Sequence, residues 1–164
     1  MNNESAILAH VMNKTRELTG IYLNILKGVD VHKTFMQGDK SLNSVFWIMA
    51  HLPVTENFLL LRSTGGEHVK IPWARQFGLG SVPIAKEDCP PLDEVKAVFE
   101  DVHTKSIRHI AGLDTSFLDQ TNTTGFEFFG ENSVRSVIIH AIRHEGTHAG
   151  HLGWLCKLHG LKTI

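Results

Sequence analysis

Apolar residues recur at three- and four-residue steps in four separate stretches of the chain, the spacing that gathers them on one face of an α-helix. In the first, residues 4–26, the stripe is Ile7, Leu8, Val11, Met12, Leu18, Ile21, Tyr22 and Ile25, and Gly28 is placed to end it. The second starts from a Ser41 or Ser44 cap and runs to about residue 62, with Phe46, Trp47, Ala50, Val54, Phe58 and Leu61 on or near one face. Pro53 lies inside this helix, where it removes a backbone hydrogen bond and predicts a kink beside His51. The third covers 93–111, with Val95, Val98, Phe99, Val102, Ile107 and Ile110 as its stripe, and stops at Gly112. The fourth starts from Ser133, runs to about residue 158 and closes at Gly160.

Strand-like alternation is scarce, at most a short piece over 126–129, so the expected class is all-α. Four helices of this length suit a four-helix bundle forming a single domain over residues 1–164. The connection over 64–91 is rich in Gly and Pro and long for a loop inside a compact domain. It is long enough to cross the bundle end to end and set the second and third helices parallel.

Composition narrows the function. Sixteen Lys plus Arg against seventeen Asp plus Glu leave a formal charge of −1, without the basic footprint that nucleic-acid binding requires. No segment reaches the roughly 18 apolar residues of a membrane span, and the N-terminus lacks the basic and apolar regions of a secretion signal. The two cysteines, Cys89 and Cys156, stand in no CxxC spacing. The expectation is a cytoplasmic protein with neither nucleic-acid nor membrane partners.

Histidine is the excess to explain: there are eleven, and five lie between His140 and His159. At about 100° per residue, with His144 at zero, His140 falls near −40°, His148 near +40° and His151 near −20°. Val137, Leu155 and Leu158 extend the same stripe, so the His face is expected to be the core face. A bundle interior takes four imidazoles only if they are hydrogen-bonded or coordinate an ion. His144 and His148, four residues apart, lie close enough for both rings to reach one metal. Two ligands from one helix need a third from elsewhere, and His51 shares an inward face with Trp47, Val54 and Phe58. His32, His68 and His159 in loops or at a helix end, and His10, His103 and His109 without an i+4 partner, are expected to be surface or cap residues.

Residues 144–148 also spell H-E-x-x-H, the signature of zinc peptidases in which the Glu is the general base. The extended form fails, because His151 and Trp154 stand where Gly and His are required. No Asp or Glu follows Glu145 to serve as a further ligand, and almost no strand pattern exists to hold a peptide.

The run Ile139-His140-Ala141-Ile142-Arg143-His144-Glu145-Gly146-Thr147-His148-Ala149-Gly150-His151-Leu152, with Leu155 and His159-Gly160 after it, resembles the C-terminal helix of DinB-like proteins, roughly H-x-x-x-H-E-x-x-H-x-G-Q-[IL]. The segment Ser44-Val45-Phe46-Trp47-Ile48-Met49-Ala50-His51-Leu52 is similar to the family's second helix, an apolar-aromatic run ending in His. The resemblance implies a four-helix bundle arranged up-down-down-up with a long crossover between helices 2 and 3. It also implies one divalent metal on three His, here His51, His144 and His148. It departs at one position, where the family's usual Gln is His151, a fourth ligand or a donor to one of the others. Members are often homodimers, and the related enzymes are thiol-dependent transferases or isomerases whose metal activates a low-molecular-weight thiol.

The sequence thus leads to a divalent-metal-binding protein, a metal-dependent transferase, isomerase or hydrolase-like enzyme acting on a small-molecule substrate. Zn or Ni is the expected ion, with Fe and Mn also compatible with the ligand set. Candidate acid or base groups are Glu145, His140 and His151, with Glu145 about 100° off the ligand face and expected in solvent. Trp73, Arg75 and Gln76, together with Phe126, Phe128 and Phe129, are candidates to wall the pocket mouth. The alternative is a non-catalytic metal-binding or structural dimeric bundle in which His151 or His140 closes the coordination shell.

Overall fold

The computed structural model describes residues 3–164. Its framework is four helices: α1 (Glu4–Ile25), α2 (Val45–Glu56), α3 (Leu92–Ala111) and α4 (Val134–Leu158). Side-chain caps start three of them. Asn3 Oδ1 accepts from the Ser5 N–H at 3.1 Å, Ser44 Oγ accepts from Trp47 N–H at 3.2 Å, and Ser133 Oγ accepts from Ser136 N–H at 3.1 Å. No side-chain cap starts α3, which follows Pro90-Pro91 and places Asp93 and Glu94 against the positive end of its dipole.

Interhelical contacts fix the directions. Arg135 pairs with Glu4, Glu145 with Thr19, and Gly153 lies against the Tyr22 ring, so α1 and α4 run parallel. Arg16 bonds the Phe99 carbonyl while Asn13 meets His103, so α3 runs against α1. Val45 and Met49 share a cluster with Val95 and Phe99, and Glu56 meets His103, which makes α2 and α3 parallel. The bundle is therefore up-down-down-up, and residues 64–91 carry the chain back along its length. Ile71, Trp73 and Phe77 of that crossover are buried, and Trp73 Nε1–H donates to Glu94 at 2.8 Å.

The core is apolar at both ends and polar in the middle. One half gathers Phe46, Phe77, Val95, Phe99 and Leu152; the other gathers Met12, Leu60, Ile110, Leu118 and Ile138. Between them lie Arg16, Thr19, Glu56, His103 and Glu145, all buried. This layer explains why the α1 stripe expected from sequence is displaced. Ile7, Val11 and Ile21 are exposed, while Ser5, Ala9, Met12, Arg16 and Thr19 face inward. Their spacing is also helical, but small and polar residues occupy it because the charges of two other helices meet them there.

Three further local features differ from expectation. The chain stays helical through Pro53, and the departure from α geometry comes one turn later as a π-helical segment, Asn57–Arg62. A two-stranded hairpin pairs Met36–Gln37 with Lys40–Ser41 around Gly38, whose φ of 62° suits glycine. Residues 126–129 hold no strand, only an isolated bridge between Phe128 and Glu131. Among the described residues no helix is long and apolar enough to cross a membrane.

Candidate metal centre

The second helix and the fourth approach each other at mid-height through histidines. His51 is buried, at 5 % exposure, because the crossover lies over it. Its Nδ1 sits 2.6 Å from the Phe77 carbonyl oxygen. A carbonyl only accepts, so Nδ1 carries the proton and the lone pair is on Nε2. Trp47, one turn earlier, stacks on the ring at 4.4 Å between centroids and 15° between planes, which fixes its orientation. The Nε2 lone pair then points to the fourth helix, 3.0 Å from His144 Nε2, with Thr55 Oγ1 at 3.3 Å.

His51, His144 and His148 form a group whose candidate ligand atoms all lie within 4.8 Å of one another. Nitrogen ligands at 2.0–2.1 Å around a tetrahedral ion stand about 3.3 Å apart, so the 3.0 Å between His51 and His144 is close to a ligand–ligand edge. With the proton of His51 on Nδ1, the two Nε2 atoms can approach this closely only if His144 donates or a cation joins them. Burial pushes all three rings toward the neutral form that metals bind. His144 is lowered to about 4 and His148 to about 3, mainly by desolvation and then by the neighbouring imidazoles, and His51 is lowered by desolvation. The residues present therefore fit a divalent ion in donor chemistry, protonation and spacing.

The remaining candidates lie elsewhere around this trio. His140 is half-buried, stacked on Phe128 at 4.0 Å and 20°, with its ring centre 6.2 Å from that of His144. Desolvation and the Arg143 charge hold its pKa below the usual His value. His151 is exposed, outside the three-His group, with Nδ1 3.4 Å from His148 Nδ1. The core face of α4 is thus not centred on the His stripe. Ile138, Ala141, Glu145, Ala149 and Leu152 are its buried centre, with His148 at the border and His140, His144 and His151 along the edge.

Glu145 is not in solvent. It is 1 % exposed and turned away from the trio, where Arg16 Nε and Nη2 donate to its two oxygens at 2.8 and 3.0 Å and the Thr19 hydroxyl donates at 2.6 Å. Arg16 also donates to Glu56 at 2.7 Å, its guanidinium lies 3.8 Å over the Phe99 ring, and Glu56 meets His103 at 2.9 Å. His103 is therefore buried rather than a surface residue, and His109 packs against Thr64 at 2.9 Å. Burial works against the Arg16 charge, but the two glutamates hold its pKa above the usual value. Burial would raise Glu56 as well, yet Arg16 and His103 leave it below the usual carboxylate range. Arg16, Thr19 and Glu56 were invisible as a group because they lie up to 129 positions from the Glu145 they serve.

Beside the trio opens a cavity of about 480 Å³, lined by His51, Thr55, Phe58, Phe126, Phe128, His140 and His144 among others. Of the residues expected at its mouth, Phe126 and Phe128 line it. Trp73 is in the core instead, Arg75 is exposed, and Gly78 and Leu79 take the place expected of Gln76. Phe129, at 80 % exposure, lies against Arg143 on the outside.

Among known protein families, the sequence model of the DinB superfamily matches residues 14–152. No curated protein matches the chain.

Proposed function

The chain belongs to the DinB superfamily, and from that premise we propose that it is a metal-dependent enzyme. In this proposal His51, His144 and His148 hold one divalent ion, Zn or Ni, and a small-molecule substrate enters by the adjoining cavity. The observation that carries it is that the trio is flanked by open volume rather than by a fourth buried ligand. Three protein ligands with a vacant direction characterise catalytic sites, whereas structural sites are closed.

A divalent ion held there supplies a Lewis-acidic position that makes a water, thiol or substrate oxygen reactive at neutral pH. The protein's own groups do the rest. The Phe77 carbonyl fixes the tautomer of His51 and so aims its lone pair, the role that outer hydrogen bonds play for metal-binding imidazoles. Trp47 holds the ring in plane. His140, half-buried on the cavity wall and held neutral by burial, is the group placed to accept a proton from a bound substrate. Glu145 has no such part, since both its oxygens are occupied on the far side of the helix. The family resemblance makes a thiol-dependent transfer or isomerisation the proposed reaction class, with the cytoplasm as its compartment and a homodimer as the assembly.

The competing reading, a non-catalytic metal-binding bundle, draws on the 3.4 Å approach of His151 to His148. Titration of Zn²⁺ or Ni²⁺ into single variants separates the two. An open three-His site predicts that His51→Ala and His148→Ala abolish stoichiometric binding while His151→Ala retains it. Loss of binding in His151→Ala to the same degree identifies a closed shell and removes the case for catalysis.

A further inference from the structure

We propose that the cavity beside the histidine trio is a binding site for a neutral aromatic compound, whose ring lies on the Phe126–Phe128 wall and whose one polar end faces His144. This rests on the reading of the trio as the reactive end of the cavity and adds the chemical class of the ligand.

The wall is an unbroken series of rings running in from the surface. Phe58 meets Phe126 edge-on at 5.5 Å, Phe126 stacks with Phe128 at 5.9 Å and 25°, and Phe128 stacks with His140 at 4.0 Å and 20°. His140 in turn is 6.2 Å from His144, ring centre to ring centre. Phe126 is 48 % exposed although it is large and apolar, so the series begins at solvent and ends at the trio. Rings in contact prefer offset-stacked or edge-to-face partners, and this wall offers both to a planar guest.

The lining also excludes other guests. No Lys, Arg, Asp or Glu is among the residues that line the cavity, and its polar side chains are Thr55 and the histidines at the inner end. An ionic or polyhydroxylated body would lose its water there without a counter-charge or enough hydrogen-bond partners to replace it. A phosphorylated metabolite or a sugar therefore does not fit, whereas an apolar ring with a single hydroxyl, thiol or carbonyl does. About 480 Å³ is within the range of small-molecule sites and holds a one- or two-ring compound.

The test is calorimetric titration of Zn²⁺-loaded protein with 2-naphthol, with its saturated counterpart decahydro-2-naphthol, and with sorbitol, with metal content measured on the same samples. The expected result is saturable binding of 2-naphthol at one site per chain, weaker binding of decahydro-2-naphthol and none of sorbitol. Phe128→Ala, on the loop that precedes α4, is expected to weaken 2-naphthol by roughly tenfold, the order of one lost ring contact plus its burial. No binding of 2-naphthol up to its solubility, equal binding of the saturated compound, or an unchanged affinity in Phe128→Ala overturns the inference. One ion per chain without 2-naphthol binding overturns it while leaving the metal reading intact. Phe128-dependent binding without any ion supports the aromatic site and removes the metal reading.

Discussion

Arg16 holds Glu145 by two hydrogen bonds, Nε to Oε1 at 2.8 Å and Nη2 to Oε2 at 3.0 Å, joining the first helix to the fourth at the residue that follows His144. The same Nη2 donates to Glu56 on the second helix, five residues beyond His51. One buried cation thus ties together the two helices that carry the trio. It occupies the layer where the two apolar halves of the core part.

Removing that cation leaves two buried carboxylates, Glu145 with only the Thr19 hydroxyl and Glu56 with only His103. Arg16→Met is expected to destabilise the protein by about 3–5 kcal/mol, the usual cost of breaking a buried ion pair from one side. Arg16→Met combined with Glu56→Gln and Glu145→Gln is expected to recover part of that loss, because no unpaired charge then remains. Urea unfolding of the variants at pH 7 measures both, and a triple variant no more stable than Arg16→Met shows that the charges are not the cause.

Glu145→Gln keeps the shape of the side chain and its contact with Thr19 while giving up the charge. Since the carboxylate points away from the trio, the variant is expected to be less stable but to bind metal with the stoichiometry of the parent. Titration of Zn²⁺ into the folded variant checks this. Loss of the site would restore Glu145 as part of the centre.

The histidines set a pH dependence after metal has been stripped with a chelator. Their folded values, about 4 for His144 and about 3 for His148, lie below the 6.5 of an unperturbed imidazole. Between pH 6.5 and 4 the unfolded chain takes up protons that the folded chain refuses. Stability is therefore full above pH 6.5 and falls as the pH drops below it. Thermal unfolding of stripped protein from pH 7.5 to 5 should show a falling Tm, with a shallower fall in His148→Ala. A Tm that rises over that interval would contradict the burial of these rings.

Gly153 reports on the parallel packing of the first and fourth helices. A Cβ placed there meets the Tyr22 ring at 3.1 and 3.2 Å, tighter than ordinary contact. Gly153→Ala is expected to cost up to about 2 kcal/mol, the overpacking outweighing the roughly 1 kcal/mol that alanine gains over glycine inside a helix. Tyr22→Leu in the same chain should relieve much of it, and strict additivity of the two changes would show that the helices do not meet there.

What could be read in advance follows the range of the interactions involved. The pairing of His144 with His148 is a matter of four residues on one helix, and His51 follows from the apolar face of the second, so the trio was legible from local periodicity. The burial of Glu145 was not, because the residue that neutralises it stands 129 positions earlier, and a lone Glu beside a His stripe reads as solvated. His103 was misplaced for the same reason, its partner Glu56 being 47 positions away. The first helix shows the converse case. Ile7, Val11 and Ile21 mark an apolar stripe by sequence, yet the polar layer decides which side turns inward. The hairpin at Met36–Ser41 has strands of two residues, too short for any alternation to register.

The central claim is that His51, His144 and His148 hold one divalent ion. Elemental analysis of protein purified without tag or chelator, in parallel with His144→Ala, tests it most directly. The account predicts about one Zn or Ni per chain in the parent and none in the variant. An absence of stoichiometric metal in the parent, even after Zn²⁺ or Ni²⁺ is added, would contradict it and reduce the trio to hydrogen bonding between two helices.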